Sequence, residues 1–397
     1  MIKKQLPLTI LSLIFILFIF KYDKVNAQEN YRTMPFTHSP LHAMKGALKI
    51  SDANDSIAIY SFKTENNKLK SIIYQLDGEP KPFYENYTSS TFVFASINEF
   101  EYRENEIIVR HFDHLLRPYK DKPAISKYKL DGKGRVIHLA YFDKDGNATE
   151  LNGIHNYNWK YFKDKIGEVR YNNDGTIQPI NSWFPYEWVL LEFDKDDNLM
   201  SIIETDENWN AKDDSVMIQF RIESNEITKW VAINTKTNQK TSNTGSGASE
   251  TRHDYDSNGY LIRTRFFDTK GNRIKSKWGH MGFVRKYNNY GNRLSYNFIG
   301  INDKKIVSAR KYSGQKFVWD SKGRYRILTY YIDTEGDPMV RPAVGYSQIE
   351  YIYDTDGVEI GKVFKDIEGK IFCEENMESF ILLKNHDKKF RKINICS

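Results

Sequence analysis

The 397 residues are 40% hydrophobic, 14% aromatic and 28% charged, with two cysteines and a formal net charge of +6. A chain this long ordinarily divides into two or three domains. Acidic and basic residues are interspersed, which excludes a protein built to track a nucleic-acid backbone. The one dense basic run, Lys388–Lys392, reads as a charged edge strand.

The chain begins with Lys3 and Lys4, an almost wholly apolar stretch from Leu6 to Phe20, and Val25-Asn26-Ala27 before Gln28. That order is a secretory signal peptide over residues 1–27, with an apolar core too short for a membrane span. Its removal takes away four lysines and one aspartate and leaves a charge of +3. No lipobox cysteine follows. The mature chain is therefore expected outside the cytoplasm (periplasm, cell surface or secreted), with no transmembrane span after cleavage. Residues 28–55 form a short N-terminal segment.

From residue 56 to 372 the chain repeats itself. The clearest units read His253-Asp-Tyr-Asp-Ser-Asn-Gly259, Lys286-Tyr-Asn-Asn-Tyr-Gly291, Phe317-Val-Trp-Asp-Ser-Lys-Gly323 and Tyr351-Ile-Tyr-Asp-Thr-Asp-Gly357, with glycines 32, 32 and 34 residues apart. A constant spacing of this size marks a repeat array. Each unit has a second turn, as at Gly146, Gly271, Gly336 and Gly369. In Asp-x-x-Gly the carboxylate accepts from backbone amides two residues on, and the glycine takes a positive φ without steric cost. Such turns reverse antiparallel strands. Seven residues after the turn residue stands an aromatic: Tyr74, Phe112, Tyr141, Phe266, Phe298, Tyr330 or Phe364. Strand side chains alternate, so this row shares one face and is expected to form the core that small repeats must bury together.

The middle of the array, about residues 150–250, departs from the pattern. Its units sit around Gly167, Asp197-Asn198 and Asn225 and have no aromatic at the seventh place. It also holds Thr241–Ser249, a Ser/Thr/Gly run expected to be a flexible loop. Trp159, Trp183, Trp188, Trp209 and Trp230 gather here and are candidate ligand-stacking aromatics. Residues 373–397 suit a charged C-terminal cap. Cys373 and Cys396 both lie in it and are a candidate disulfide in an oxidising compartment.

The signatures of catalysis are missing: no Gly-x-Ser-x-Gly, no His-Glu-x-x-His and no phosphate-cradling glycine loop. No catalytic residue, metal ligand or cofactor is assigned. His111 and His114 are three apart, which on a strand sends them to opposite faces. The Asp-rich turn at Asp194–Asn198 lacks the spaced ligands of an EF-hand loop. Charges on both faces of the strands, Arg263 and Arg265 on one and Lys362 on the other, argue against an outer-membrane barrel.

Tyr255-Asp-Ser-Asn-Gly259, Trp319-Asp-Ser-Lys-Gly-Arg324 and Tyr353-Asp-Thr-Asp-Gly357 resemble the YD or RHS-type repeats of bacterial surface and secreted proteins. The resemblance covers roughly residues 125–370, weakly in the middle. It implies consecutive hairpins in a long spiralling sheet and an envelope setting, and carries over no catalytic residue. The chain departs from that family in its longer period, its second turn, and the lack of an Arg-rich core and downstream toxin. The fold class expected is all-β: tandem β-hairpin repeats of about 32–34 residues in an elongated or curled antiparallel array. The function expected first is a binding or scaffold module with an envelope protein as partner. A glycan-binding module and an envelope polysaccharide hydrolase are the alternatives.

Overall fold

Short alternating strands joined by carboxylate-closed turns pair most readily with their sequence neighbours, and most of this chain does so. A computed structural model describes residues 27–51, 57–84, 92–120, 122–212 and 214–375. It is 49% strand and 1% helix, a single antiparallel sheet of 25 strands that does not close into a barrel. Most strands pair with the next along the chain, as Glu250–Tyr255 does with Leu261–Phe267 and Gly282–Tyr287 with Arg293–Ile299, while the short strands Ala47–Ile50, Glu79–Pro80 and Ile177–Gln178 each pair only with the strand before them.

The turns close as their chemistry dictates. Asp131 Oδ1 accepts from the amides of Lys133 and Arg135, both at 2.9 Å, and Gly134 N–H donates to the Asp131 carbonyl at 2.9 Å. Asp143, Asp194, Asp206, Asp256 and Asp354 repeat the pattern on the amides two and four residues on. Asp194, in the acidic run, is thus engaged in an ordinary turn. Gly167 is not a turn residue. It lies inside Ile166–Tyr171, and the reversal happens before it, where Phe162 N–H donates to Lys165 O at 2.9 Å.

Four of the seven counted aromatics are buried: Tyr141, Phe266, Phe298 and Phe364. Tyr74 is half-buried against the same core. The other two miss by one residue, for one reason. The turn before Phe112 pairs Arg103 with Glu106 and has no bulge, so His111 points inward instead, between Asn98 Oδ1 at 2.8 Å and Ser126 Oγ at 2.6 Å. The turn at Asp320 carries an extra residue, with Asp320 N–H bonded to Tyr325 O at 2.9 Å, and Tyr331 rather than Tyr330 is buried. A slip of one residue exchanges the faces of a strand.

The sheet curls until distant units touch. Arg324 donates to the carbonyls of Leu76 at 3.1 Å and Pro80 at 2.7 Å. Tyr84 meets the Tyr353 hydroxyl at 3.0 Å and the Trp319 ring at 5.0 Å. Lys81, fully buried, donates to Asn292 Oδ1. The partners are 211 to 269 residues apart, about seven repeat units. Along this seam and rim the turn glycines have a second role. A Cβ on Gly291 would lie 2.1 Å from the Tyr260 hydroxyl, and one on Gly357 2.1 Å from the Tyr325 hydroxyl.

The N-terminal segment is continuous with the sheet: Ala27–Thr33 pairs with both Ala47–Ile50 and Ile59–Glu65. Residues 34–46 cross the interior, where Met34, Ser39, Leu41 and Ala43 are buried. Ser39 Oγ donates to Glu168 Oε2, Thr33 Oγ1 to Glu226 Oε1 at 3.0 Å, and Lys45 Nζ to Asn198 Oδ1 at 2.6 Å. The segment from Thr33 to Lys45 therefore ties three units of the middle array together. At the other end Ile371–Glu375 pairs with Glu359–Lys365, placing Cys373 opposite Phe364. Cys396 and the rest of the charged tail lie outside the described residues, as do residues 1–26 of the expected signal peptide.

Candidate ligand-binding cavity

After its second turn each unit sends a connecting loop back over the inner face of the sheet. Ser276 N–H donates to His280 O at 2.8 Å, Ser308 to Tyr312 O at 3.0 Å and Arg341 to Tyr346 O at 3.0 Å. The residue before each loop's inward side chain takes a positive φ: Gly279 at 82°, Lys311 at 64° and Gly345 at 78°. Thr241–Ser249 is the same loop in its own unit. Asn243 N–H donates to Ala248 O at 2.9 Å, and Gly247 takes a φ of 81°. It is not a flexible linker: Asn243, Ser246, Ala248 and Ser249 are buried, and Asn243 Oδ1 accepts from the amides of Gly245 and Ser246. Its backbone packs flush on that of Ser182 and Trp183, where a side chain on Gly245 would collide with both carbonyls.

Loops and strands together enclose a cavity of about 780 Å³, within the range of sites that take small molecules. Residues 178–185 and 278–280 form one side, the inner faces of three strands supply His253, Thr264 and Arg285, and Phe36 and His38 arrive from the N-terminal segment. Asn152, Ser182 and Arg310 at the lining are exposed and mark the mouth. The walls are aromatic: Trp183 packs against Trp278 at 4.6 Å and Phe266 at 5.5 Å, and His280 stacks on Phe298 at 4.7 Å. Trp230 packs edge-on to Phe184 at 5.5 Å.

Burial fixes the charge of the three histidines. His38 and His253 are pushed down to about 3 and His280 to about 4, in each case chiefly by loss of water. Arg285 beside His253 and Arg310 near His280 add to the effect. All three are neutral at pH 7, so Arg285 and Arg310 carry the cavity's charge. No aspartate or glutamate lines it among the described residues. A pair of carboxylates for glycoside hydrolysis is therefore not available at this site.

The five candidate tryptophans part company. Trp183 and Trp230 line the cavity. Trp159 is buried in the core, stacked on Tyr157 at 5.7 Å, with Nε1 donating to Glu168 Oε2 at 2.8 Å. Trp188 and Trp209 form a separate edge-to-face pair at 5.0 Å, with Trp209 lying across Gly167 where a side chain would collide. His111 and His114 do not converge: the first is buried between Asn98 and Ser126, and the second packs against Tyr325 at 5.9 Å.

Trp278, His280, His253 and Arg285 escape a reading based on turns. One signal was present: His280, Tyr312 and Tyr346 are spaced 32 and 34 residues apart, as the turn glycines are. That second periodic row belongs to the connecting loops.

No protein-family model matches this chain, and no curated protein is significantly similar to it.

Proposed function

We infer that this is an extracytoplasmic binding protein of the cell envelope, and that its ligand is a saccharide received in the interior cavity. The single observation that carries the reading is the convergence of Trp183, Trp230 and Trp278 on one solvent-connected space. Flat aromatic faces suit the apolar faces of sugar rings, and amide and hydroxyl side chains such as Asn152, Asn181 and Ser308 suit their hydroxyls. The apparent signal peptide and the YD-like turns support the envelope setting. A cavity of this size favours a small ligand over the protein partner expected first, because protein interfaces need broad complementary surface.

Intrinsic tryptophan fluorescence tests the reading. Titration of the purified protein with envelope oligosaccharides should change the emission, and Trp183→Ala should abolish the change. Trp188→Ala should leave it intact. Silence across the whole panel, or a response that depends on Trp188 instead, would overturn the proposal.

A further inference from the structure

Two histidines of the cavity wall are held in a known tautomer, and what that implies rests on the saccharide reading and deepens it. Asn181 Oδ1 accepts from the amides of Trp183 at 2.9 Å and Phe184 at 3.1 Å. Its Nδ2 therefore faces His38 Nδ1 at 3.2 Å, and since an amide nitrogen can only donate, Nδ1 accepts. The proton of this neutral imidazole sits on Nε2. On the strand Glu250–Tyr255, His253 Nδ1 lies 3.1 Å from Thr264 Oγ1, which itself accepts from Arg285 and passes its proton to that nitrogen. His253 thus also carries its proton on Nε2. The two rings are near enough that His253 adds to the lowering of the His38 pKa. Both line the cavity, and among the described residues no group accepts from either Nε2. Trp230 stands beside them, opposite Thr251 in the ladder and so on the same face as His253.

This patch offers a ligand donors only. Asn181 Oδ1, Thr264 Oγ1 and both Nδ1 atoms already accept within the wall, and no described lining residue is acidic. A sugar hydroxyl placed here would keep its own proton unmet, which is costly out of water. A carbonyl has two lone pairs to receive two N–H groups and nothing to donate. The same tautomer turns an N–H rather than a lone pair toward the space, the wrong form for holding a metal ion. We propose that the cavity takes an N-acetylated amino sugar, its acetamido carbonyl on His38 Nε2–H and His253 Nε2–H, its methyl against Trp230 and its ring on Trp183. The acetamido N–H faces the mouth, where Asn152 and water accept.

Calorimetry on the purified protein tests this with chitotriose, the trimer of N-acetylglucosamine, against cellotriose, the trimer of glucose. Both are uncharged and identically linked, and they differ only in an acetamido group where the other has a hydroxyl. Chitotriose should bind at least about tenfold more tightly, the worth of two hydrogen bonds to one carbonyl. His38→Phe and His253→Phe keep a flat ring and lose the N–H, and each should cut that preference at least about threefold. Imidazole nitrogen shifts in the parent protein supply a readout that needs no variant: two histidines should show the Nε2–H form, and their signals should move with chitotriose. Cellotriose binding as tightly as chitotriose overturns the acetamido ligand and leaves the saccharide reading standing. A preference that survives both histidine changes, or imidazole signals that do not move, overturns the assigned donors. No binding by either trimer or by any other envelope oligosaccharide overturns both readings.

Discussion

Removing the Glu168 carboxylate should unlock the N-terminal segment from the middle of the array. Glu168 and Arg170 are 0% and 1% exposed, joined by bonds of 2.9 Å from Nε and 2.6 Å from Nη2 to one carboxylate oxygen. The other oxygen accepts from Trp159 and from Ser39 of the crossing loop. In Glu168→Ala the guanidinium stays buried with only the Tyr186 and Glu187 carbonyls, at 3.3 and 3.4 Å, to receive it. Breaking a buried pair on one side costs about 3–5 kcal/mol. Ser39→Ala, which removes one bond to the cluster, should cost about 1 kcal/mol. The double change Glu168→Leu with Arg170→Met removes both charges and should recover most of the loss. Urea unfolding at pH 7, followed by circular dichroism and tryptophan fluorescence, measures all four proteins. A loss under about 1 kcal/mol in Glu168→Ala, or a double variant as unstable as the single one, would refute the argument.

Other outcomes follow from the seam and the rim. Gly369→Ala, at a φ of 82° with open space around it, should cost about 1 kcal/mol. Gly357→Ala, where the Tyr325 hydroxyl stands 2.1 Å from the new Cβ, should cost about 1–3 kcal/mol more; equal costs would refute the rim contact. Burial pushes Lys81 down from 10.5 to about 7. Between those values the unfolded chain binds more protons, so stability should rise with pH by about 1.4 kcal/mol per unit. Lys81→Met should lose that rise and melt higher than the parent at pH 7; an unchanged pH slope in thermal melts would contradict it. Burial likewise raises Glu226 from 4.5 to about 8, so its contribution is full below pH 4.5 and falls away as pH climbs through 8. Glu226→Gln should remove that decline, leaving a variant whose advantage grows from about pH 5 to 8. A constant difference across that range would sink the assignment.

The hairpin array was legible because its causes are local. Asp131 reaches amides two and four residues away, and any chain carrying Asp-x-x-Gly will do the same. Parity was legible only where the turn length was constant. The bulge-free turn at Arg103–Glu106 and the extra residue before Tyr325 brought His111 and Tyr331 inward without any mark in the aromatic count. The cavity was mostly hidden, since it depends on contacts between residues far apart in the chain. Nothing near Ser39 foretells Glu168, and nothing near Arg324 foretells the Leu76 carbonyl. Trp183 and Trp188 stand five residues apart with the same apparent claim, yet Trp183 lies under the backbone of Gly245 against Trp278 and Trp188 pairs with Trp209. Nor does the turn pattern mark the arginines that pack on core aromatics. Arg293 and Arg326 each lie within 6 Å of the Phe317 ring, at 4.7 and 5.9 Å.

The most direct test of the central claim is hydrogen–deuterium exchange of the purified protein with and without the tightest-binding saccharide of the panel. Slower exchange should be confined to residues 178–185, 250–264 and 278–298, the loops and strands around the cavity. Protection centred instead on Trp188 and Trp209, or on the outward turns, would place the binding surface elsewhere and contradict the account.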